Sequence, residues 1–187
     1  MESAGYVLVG GRSSRMGRDK ALLSWNGCPL AKWVAIAAAQ SAGTATLIGA
    51  PERYSDLGFP VIPDLFPGEG PLGGILTALR HSTAEWNLIV ACDMPAIDAT
   101  LLAHLLDAAR QSGDDALLPV TAEGRPQPLC AVYRRTCLAP FEMAFSEGTR
   151  KVTTALAAVR CARLPMEEVS QFQNVNTPED WAAYASG

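Results

Sequence analysis

Residues 87–93, with the sequence NLIVACD, contain an unbroken apolar run from Leu88 to Cys92. A strand with one face in water alternates apolar and polar residues, whereas a continuous apolar run is typical of a strand covered on both faces. Parallel sheets flanked by helices provide that environment. This run therefore predicts a central strand of a mostly parallel sheet with helices packed on both sides.

The rest of the chain alternates strand-like and helical patterns. Further aliphatic and β-branched runs predict strands at 6–9, 44–49, 60–63, 115–120, 128–134 and 162–166, the last as an edge strand. Apolar periodicity predicts helices at 30–43, 71–82, 98–113, 136–145, 152–159 and 177–185. Residues 125–127 would connect two antiparallel strands. The pattern predicts one compact α/β domain over residues 1–187, without repeats or linkers.

The composition of the chain argues against several classes of function and of binding site. The 187 residues carry a formal net charge of −4, which argues against nucleic-acid binding because such proteins usually present a strongly basic face. The five cysteines are scattered and never spaced as CxxC, so neither a zinc site nor a disulfide framework is predicted. Neither a signal peptide nor a stretch of ~20 apolar residues is present. We expect a soluble, cytoplasmic protein with no membrane partner.

Three loops follow strand ends, which is where open α/β sheets bind their ligands. They comprise residues 10–20, 64–74 and 93–96. The first combines Gly10 and Gly11, which allow backbone N–H groups to approach an anion, with four cations, Arg12, Arg15, Arg18 and Lys20. It matches neither GxxxxGK[ST] nor GxGxxG. The pattern favours phosphate binding over the alternative, a solvated turn.

The second loop, GEGPLGG, formally matches GxGxxG at Gly68, Gly70 and Gly73. We reject a dinucleotide-binding fingerprint because PDLFP separates the preceding strand from Gly68, and because Pro71 would fall inside the tight turn. The loop is better interpreted as a place where a ligand base or ribose lies close to the backbone. Pro71 would then begin the next helix.

The third loop places Asp93 at the end of the most apolar strand. Its carboxylate either caps the following turn or binds a metal ion. Opposite a phosphate-binding loop, Mg²⁺ is the expected ion, because it binds through few carboxylates together with substrate phosphates. The two histidines, His81 and His104, lie within predicted helices, which argues against a Ser-His-Asp hydrolase.

Six motifs follow one another in a recognisable order: GGRSSRMGRDKALL, VIPD, GPLGG, CDMP, GRPQPLCAVYR and NVNTPEDW. In these motifs the chain resembles the molybdenum cofactor guanylyltransferase family from residue 6 to about residue 184. The resemblance implies a three-layer, Rossmann-like domain of the nucleotide-diphospho-sugar transferase type, with an antiparallel strand in a mostly parallel sheet. Val9 is a departure, since the family usually has Ala there.

The resemblance implies transfer of GMP from GTP to the terminal phosphate of molybdenum-molybdopterin, with Mg²⁺, or alternatively Mn²⁺, as cofactor. Molybdopterin-handling proteins and recipient molybdoenzymes would be its protein partners. Catalysis would involve Arg15, Lys20 and Asp93, and Asp93 would bind the metal. The implied nucleotide-binding residues are Leu8, Val9, Gly10, Gly11, Lys20, Asp64, Gly70, Gly74 and Asp93. Arg150, Asn174 and Asn176 would lie on the molybdopterin side.

Other functions remain open at this stage. A molybdopterin cytidylyltransferase is the nearest alternative, followed by a sugar-1-phosphate nucleotidyltransferase of the same fold. Gly10-Gly11 favours the guanylyl branch, because the cytidylyl enzymes tend to have Ala-Gly there. A non-catalytic nucleotide-binding module is disfavoured by the presence of both Lys20 and Asp93. Without the family pattern, Asn174 and Asn176 would be interpreted as turn and helix-capping residues, and Asp64 as a turn residue.

Overall fold

The structure is a computed structural model that describes residues 2–9, 19–167, 170–175 and 177–185. Its strands are β1 Ser3–Leu8, β2 Ser24–Trp25, β3 Cys28–Pro29, β4 Ala45–Ile48, β5 Val61–Ile62, β6 Trp86–Ala91, β7 Ala116–Thr121, β8 Cys130–Arg134 and β9 Cys161–Met166. Its helices are α1 Leu30–Ala42, α2 Pro51–Tyr54, α3 Pro71–His81, α4 Ala99–Ser112, α5 Leu138–Ser146, α6 Val152–Ala155 and α7 Pro178–Ala185. In these ranges no helix has both the length and the apolar character to cross a bilayer.

Seven strands form one sheet in the order β5-β4-β1-β6-β8-β7-β9. β1 pairs in parallel with both β4 and β6, and β9 pairs in parallel with β7 at the sheet edge. Only β8, among the strands of this sheet in the described ranges, runs antiparallel to its neighbours. The predicted fold class, a mostly parallel sheet with an antiparallel strand, is confirmed.

The sheet lies between two apolar layers. On one face α1 and α4 pack against residues such as Val7, Leu47 and Val90. On the other face α3, α5 and α6 pack against residues such as Tyr6 and Ile89. All six positions of β6 are buried because the strand lies between both layers. This two-sided burial explains the apolar run from which the fold class was inferred.

Several predicted helix ends agree with the structure, whereas the helix predicted at 152–159 ends at Ala155 and continues as a 3-10 turn, Leu156–Ala158. α1 ends at Gly43, whose φ of 84° lies in the left-handed region that glycine adopts readily. The carboxylate of Asp98 accepts a hydrogen bond from the backbone N–H of Leu101 at 2.8 Å and so caps α4. Pro71 is the first residue of α3. Helices α3 and α4 thus begin at the residues that the sequence indicated.

Several local elements were not predicted. β2 and β3 form a hairpin whose two turn residues, Asn26 and Gly27, have φ of 46° and 82°. Asn-Gly is the preferred pair for such a turn. The short helix α2 was also missed. The final helix begins with a reciprocal cap: Thr177 Oγ1 accepts a hydrogen bond from the backbone N–H of Asp180 at 3.1 Å, and Asp180 Oδ2 accepts one from the backbone N–H of Thr177 at 2.9 Å.

Aromatic residues attach the C-terminal helix to this hairpin. The ring of Trp25 lies 5.8 Å from that of Trp181 and 4.8 Å from that of Tyr184. Nearby, the backbone N–H of Val175 donates to the carbonyl of Asp93 at 2.9 Å. The C-terminal segment therefore contacts both the hairpin that follows Lys20 and the loop that contains Asp93.

Candidate active site

A cleft of about 750 Å³ opens where four parallel strands end. Residues directly after or at the ends of β1, β4, β5 and β6 form its floor, and the N-terminal end of α3 forms a wall. Parallel strands direct their carboxyl ends to one edge, so this position follows from the topology. In the sheet, β4 lies on one side of β1 and β6 on the other. The cleft opens at the carboxyl end of β1, between these neighbours, which is the expected ligand site of an open α/β sheet.

Asp93 lies two residues beyond the end of β6, at the bottom of this cleft. Its Oδ1 atom is buried and has no hydrogen-bond partner among the described residues, and its side chain is 20% exposed. Burial raises the pKa of the Asp93 carboxyl, and the nearby Lys20 opposes this shift. A buried carboxylate oxygen without a partner is costly, so the site favours a bound cation or a donor from a ligand.

Lys20 faces Asp93 across the cleft. It begins a 3-10 turn, Lys20–Leu22, and its Nζ lies 3.7 Å from Asp93 Oδ2. The lysine side chain is 17% exposed. The distance leaves the two groups attracted but only loosely paired, since a good charge-assisted hydrogen bond is ~2.8 Å. A cation and an anion so placed offer one charge for phosphate oxygens and one for a metal ion.

Asp19 also lines the cleft, but its carboxylate is already occupied. Oδ1 accepts a hydrogen bond from the backbone N–H of Ala21 at 3.1 Å. Oδ2 lies 2.8 Å from the Tyr54 hydroxyl and 2.7 Å from Arg53 Nη2. Asp19 is therefore a structural residue of the turn, in contrast to Asp93. Groups of three or more metal-ligating side chains do not occur in the described part of the chain.

Mg²⁺ fits this arrangement because it is typically bound by one or two carboxylates together with substrate phosphates. Asp93 Oδ1, which has no partner within the described ranges, supplies the anionic oxygen. The neighbouring thiol of Cys92 is buried, and burial raises its pKa, so it remains a neutral thiol. Cys92 is therefore unsuited to act as a nucleophile, and the site offers no other cysteine that lines the cleft in the described ranges.

The N-terminal end of α3 depends on glycine. Gly70 has φ 84° and precedes the helix. A Cβ atom at Gly74 would lie 3.1 Å from Leu8 Cδ2, so the missing side chain allows Leu8 to pack under the helix. Both glycines and Leu8 line the cleft. The structure thus brings these residues together, while their contact with a nucleotide stays a prediction.

Asp64 follows β5 and has the turn role considered for it, while its contact with a nucleotide stays a prediction. Its Oδ1 accepts hydrogen bonds from the backbone N–H of Phe66 at 2.9 Å and from the hydroxyl of Thr77 at 2.9 Å. The first is a turn interaction, and the second connects the loop to α3. Asp64 also lines the cleft. It is a turn residue in position to contact a ligand.

Comparison with known proteins identifies the family. Residues 5–162 match the family described as the MobA-like NTP transferase domain. The chain belongs to this family. It is 38% identical over 185 residues to a probable molybdenum cofactor guanylyltransferase of a Nostoc species, covering 94% of this chain and 87% of that protein. A protein of the same name from Deinococcus radiodurans is 35% identical over 176 residues, with coverage of 94% and 90%.

Solved structures agree. Molybdopterin-guanine dinucleotide biosynthesis protein A from Archaeoglobus fulgidus superimposes with a TM-score of 0.82 at 29% identity, covering 96% of this chain and 95% of that one. A CMP:2-keto-3-deoxy-manno-octonic acid synthetase complexed with CTP has a TM-score of 0.78 at 15% identity, with coverage of 100% and 98%, and so shares the fold. The family inferred from the motifs is confirmed, and the protein is an enzyme, a nucleotidyltransferase.

The structure places some of the predicted site residues in the cleft, while others lie elsewhere or outside the described residues. The cleft is lined by Leu8, Val9, Lys20, Asp64, Gly70, Gly74 and Asp93. Gly10, Gly11, Arg15 and Asn176 lie outside the described residues. Asn174 is exposed and precedes Val175, which contacts the backbone of Asp93. The cap of α7 is Thr177 rather than Asn174.

Arg150 is engaged with the protein at the edge of the site. Its guanidinium stacks on the ring of Phe145 at 3.9 Å and pairs with Glu69, which lies between the glycines of the second loop. It also donates to the backbone carbonyl of Phe145 at 2.8 Å. These contacts attach α5 to the loop before α3. Its predicted role toward molybdopterin stays a prediction.

Proposed function

We propose that this protein transfers GMP from GTP to the terminal phosphate of molybdenum-molybdopterin, producing molybdopterin guanine dinucleotide and pyrophosphate. The observation that carries the proposal is the pairing of Lys20 with Asp93 at the bottom of the strand-end cleft, where no described residue is a partner for Asp93 Oδ1. Family membership and the names of the relatives support the choice of substrates.

The proposed reaction is a direct displacement. A terminal phosphate oxygen of molybdopterin attacks the α-phosphorus of GTP, the bond from that phosphorus to the β-phosphate oxygen breaks, and pyrophosphate leaves. Lys20 would neutralise the negative charge that develops on the leaving pyrophosphate. The absence of a reactive thiol in the described cleft lining is compatible with transfer without a covalent enzyme intermediate.

Mg²⁺ would be held by Asp93 and the triphosphate. When bound, it would withdraw electrons from the phosphates and offset their charge. Lys20 meanwhile attracts the Asp93 carboxylate and holds it toward the cleft. The wall formed by Gly70 and Gly74 would position the nucleoside, and the segment at Asn174 and Arg150 would lie on the acceptor side. Delivery of the product to recipient molybdoenzymes, with molybdopterin-handling proteins upstream, forms part of the same proposal.

Nucleotide choice can be tested by thermal unfolding of the protein with GTP, CTP, ATP or NAD, each with and without Mg²⁺. A ligand that binds only the folded state raises the melting temperature, by an amount that grows with affinity. The proposal predicts the largest shift for GTP with Mg²⁺, based on Gly10-Gly11 and the family match. A larger shift with CTP would reassign the protein to the cytidylyl branch, and a shift with NAD alone would refute nucleotidyl transfer.

A further inference from the structure

The hydroxyl of Tyr54 contacts two chain segments that are distant from its own helix. Tyr54 is the last residue of α2 and is 3% exposed. Its hydroxyl lies 2.9 Å from the carbonyl oxygen of Val9 and 2.8 Å from Oδ2 of Asp19. Val9 directly follows β1, and Asp19 directly precedes Lys20. One hydroxyl therefore contacts the two described residues that flank the stretch 10–18, in which the sequence predicts phosphate binding.

Gly49 makes this approach possible. A Cβ atom at residue 49 would lie 2.6 Å from Cγ2 of Val9 and 2.9 Å from Cε2 of Tyr54. Both distances are shorter than real carbon–carbon contacts, so the ring can lie against the end of β1 because residue 49 has no side chain. The contact between Tyr54 and Val9 therefore requires glycine at position 49 as well as the tyrosine.

The same hydroxyl restrains the turn that carries Lys20. Asp19 uses Oδ1 to cap this turn at the backbone N–H of Ala21, while Oδ2 faces Tyr54. Arg53 also pairs with Asp19, but its side chain is 56% exposed, and exposed ion pairs contribute little. Of the two side chains that the described part of the chain places against Asp19 Oδ2, Tyr54 is thus the buried one.

The hydroxyl keeps its proton and acts as a donor. Burial and the neighbouring Asp19 carboxylate raise the pKa of Tyr54 well above its ordinary value. The single proton is shared between two acceptors, the Val9 carbonyl and the Asp19 carboxylate. Without this proton, the Val9 carbonyl oxygen and Asp19 Oδ2 would have no donor from Tyr54 between them.

From this geometry, and resting on the proposed function, we infer that Tyr54 is a positioning residue for the nucleotide triphosphate. Its hydroxyl holds Asp19 against the end of β1 and so fixes the turn from which Lys20 extends into the cleft. Tyr54 does not line the cleft itself, so its effect on the nucleotide passes through Asp19 and Lys20. Misplacing Lys20 would weaken its contact with the phosphates while the fold persists.

The test is a double-mutant cycle of Tyr54→Phe and Lys20→Ala, measuring the dissociation constants of GTP and CTP with Mg²⁺ by calorimetry. If Tyr54 acts through Lys20, Tyr54→Phe weakens triphosphate binding about tenfold in the wild-type background, a typical coupling for connected residues. In the Lys20→Ala background the same change should have less than about a twofold effect. An equal loss in both backgrounds, or no loss in either, would overturn the inference.

Tyr6→Phe is the matched control. Tyr6 is also 3% exposed, and its hydroxyl lies 3.0 Å from His81 Nδ1 on the other face of the sheet, away from the cleft. This variant should lower the melting temperature comparably but leave nucleotide affinity unchanged. An equal loss of affinity in Tyr6→Phe would attribute the effect to general stability and overturn the inference.

The two nucleotides separate failure of this inference from failure of the proposed function. Tighter binding of CTP than of GTP by the wild-type protein would refute the guanylyl assignment. The cycle would still test Tyr54 with CTP, because both nucleotides carry the same triphosphate. A wild-type protein that bound neither nucleotide would overturn both proposals.

Discussion

Replacing Asp93 with Asn separates metal binding from structural capping. Asn has the same size but no charge, and it caps turns about as well as Asp. In the free protein, removing a buried carboxylate whose Oδ1 lacks a partner among the described residues should gain about 1–2 kcal/mol. The attraction to Lys20, whose Nζ is 3.7 Å away, offsets only part of the cost of burial, because the pKa of Asp93 remains raised, but this attraction is lost in the variant. The net gain should therefore be a fraction of that amount, roughly 0–1 kcal/mol, which corresponds to a melting temperature up to about 4 °C higher.

The effect on function should be opposite. Loss of the anionic ligand should remove the extra stabilisation that Mg²⁺ adds to GTP binding and lower turnover roughly a hundredfold or more. Differential scanning fluorimetry with GTP, with and without Mg²⁺, measures the first quantity, and pyrophosphate release measures the second. An active Asp93→Asn enzyme with an unchanged Mg²⁺ increment would refute the metal-binding role.

The stability gain should also depend on pH. Because burial raises the pKa of Asp93 above its ordinary value of 3.8, the folded protein binds this proton more tightly than the unfolded chain does. The wild-type protein therefore bears the full cost of the buried charge above the raised pKa. The advantage of Asp93→Asn should shrink as the pH falls through that pKa and should vanish below 3.8. A variant less stable than wild type at neutral pH would refute this reasoning, because it would show that the buried charge stabilises the folded protein.

Two further substitutions test the site. Lys20→Ala should lower turnover by about two orders of magnitude, whereas Lys32→Ala, on α1 and outside the cleft lining, should leave turnover unchanged. Equal rates for both variants would refute the phosphate role of Lys20. Gly49→Ala should destabilise the protein by about 1–3 kcal/mol in chemical denaturation, because the new Cβ would lie 2.6 Å from Val9. Val9→Ala should reduce this cost, and an undiminished cost would refute the proposed clash.

Most of the fold could be predicted because the strongest signals were long and repetitive. The apolar run of β6, and the ends of α4 at Asp98 and Gly113, each follow from local chemistry. The short helix α2 was missed because four residues carry too little periodicity to be recognised. The β2–β3 hairpin was signalled by Asn26-Gly27, but each of its strands has two residues.

Part of the candidate site could also be predicted from the sequence, because the ends of parallel strands indicate where a ligand binds. Asp93 follows β6 and Lys20 lies in the segment after β1, and these two strands are parallel neighbours whose carboxyl ends meet at one edge of the sheet. The link from Tyr54 to Val9 and Asp19 could not be read from the sequence, because it joins residues 45 and 35 positions apart. Of the two roles considered for Asp64, the structure shows the turn interaction, and the position of the residue in the cleft lining leaves the nucleotide contact as a prediction.

The central claim is the identity of the transferred group and its acceptor. The most direct measurement incubates the purified protein anaerobically with molybdenum-molybdopterin, Mg²⁺ and GTP, CTP or ATP, and detects the dinucleotide product by mass spectrometry. The proposal predicts molybdopterin guanine dinucleotide from GTP, with one pyrophosphate released per product. The cytosine dinucleotide as the main product, or no dinucleotide from an enzyme that transfers nucleotides to a sugar phosphate, would contradict it.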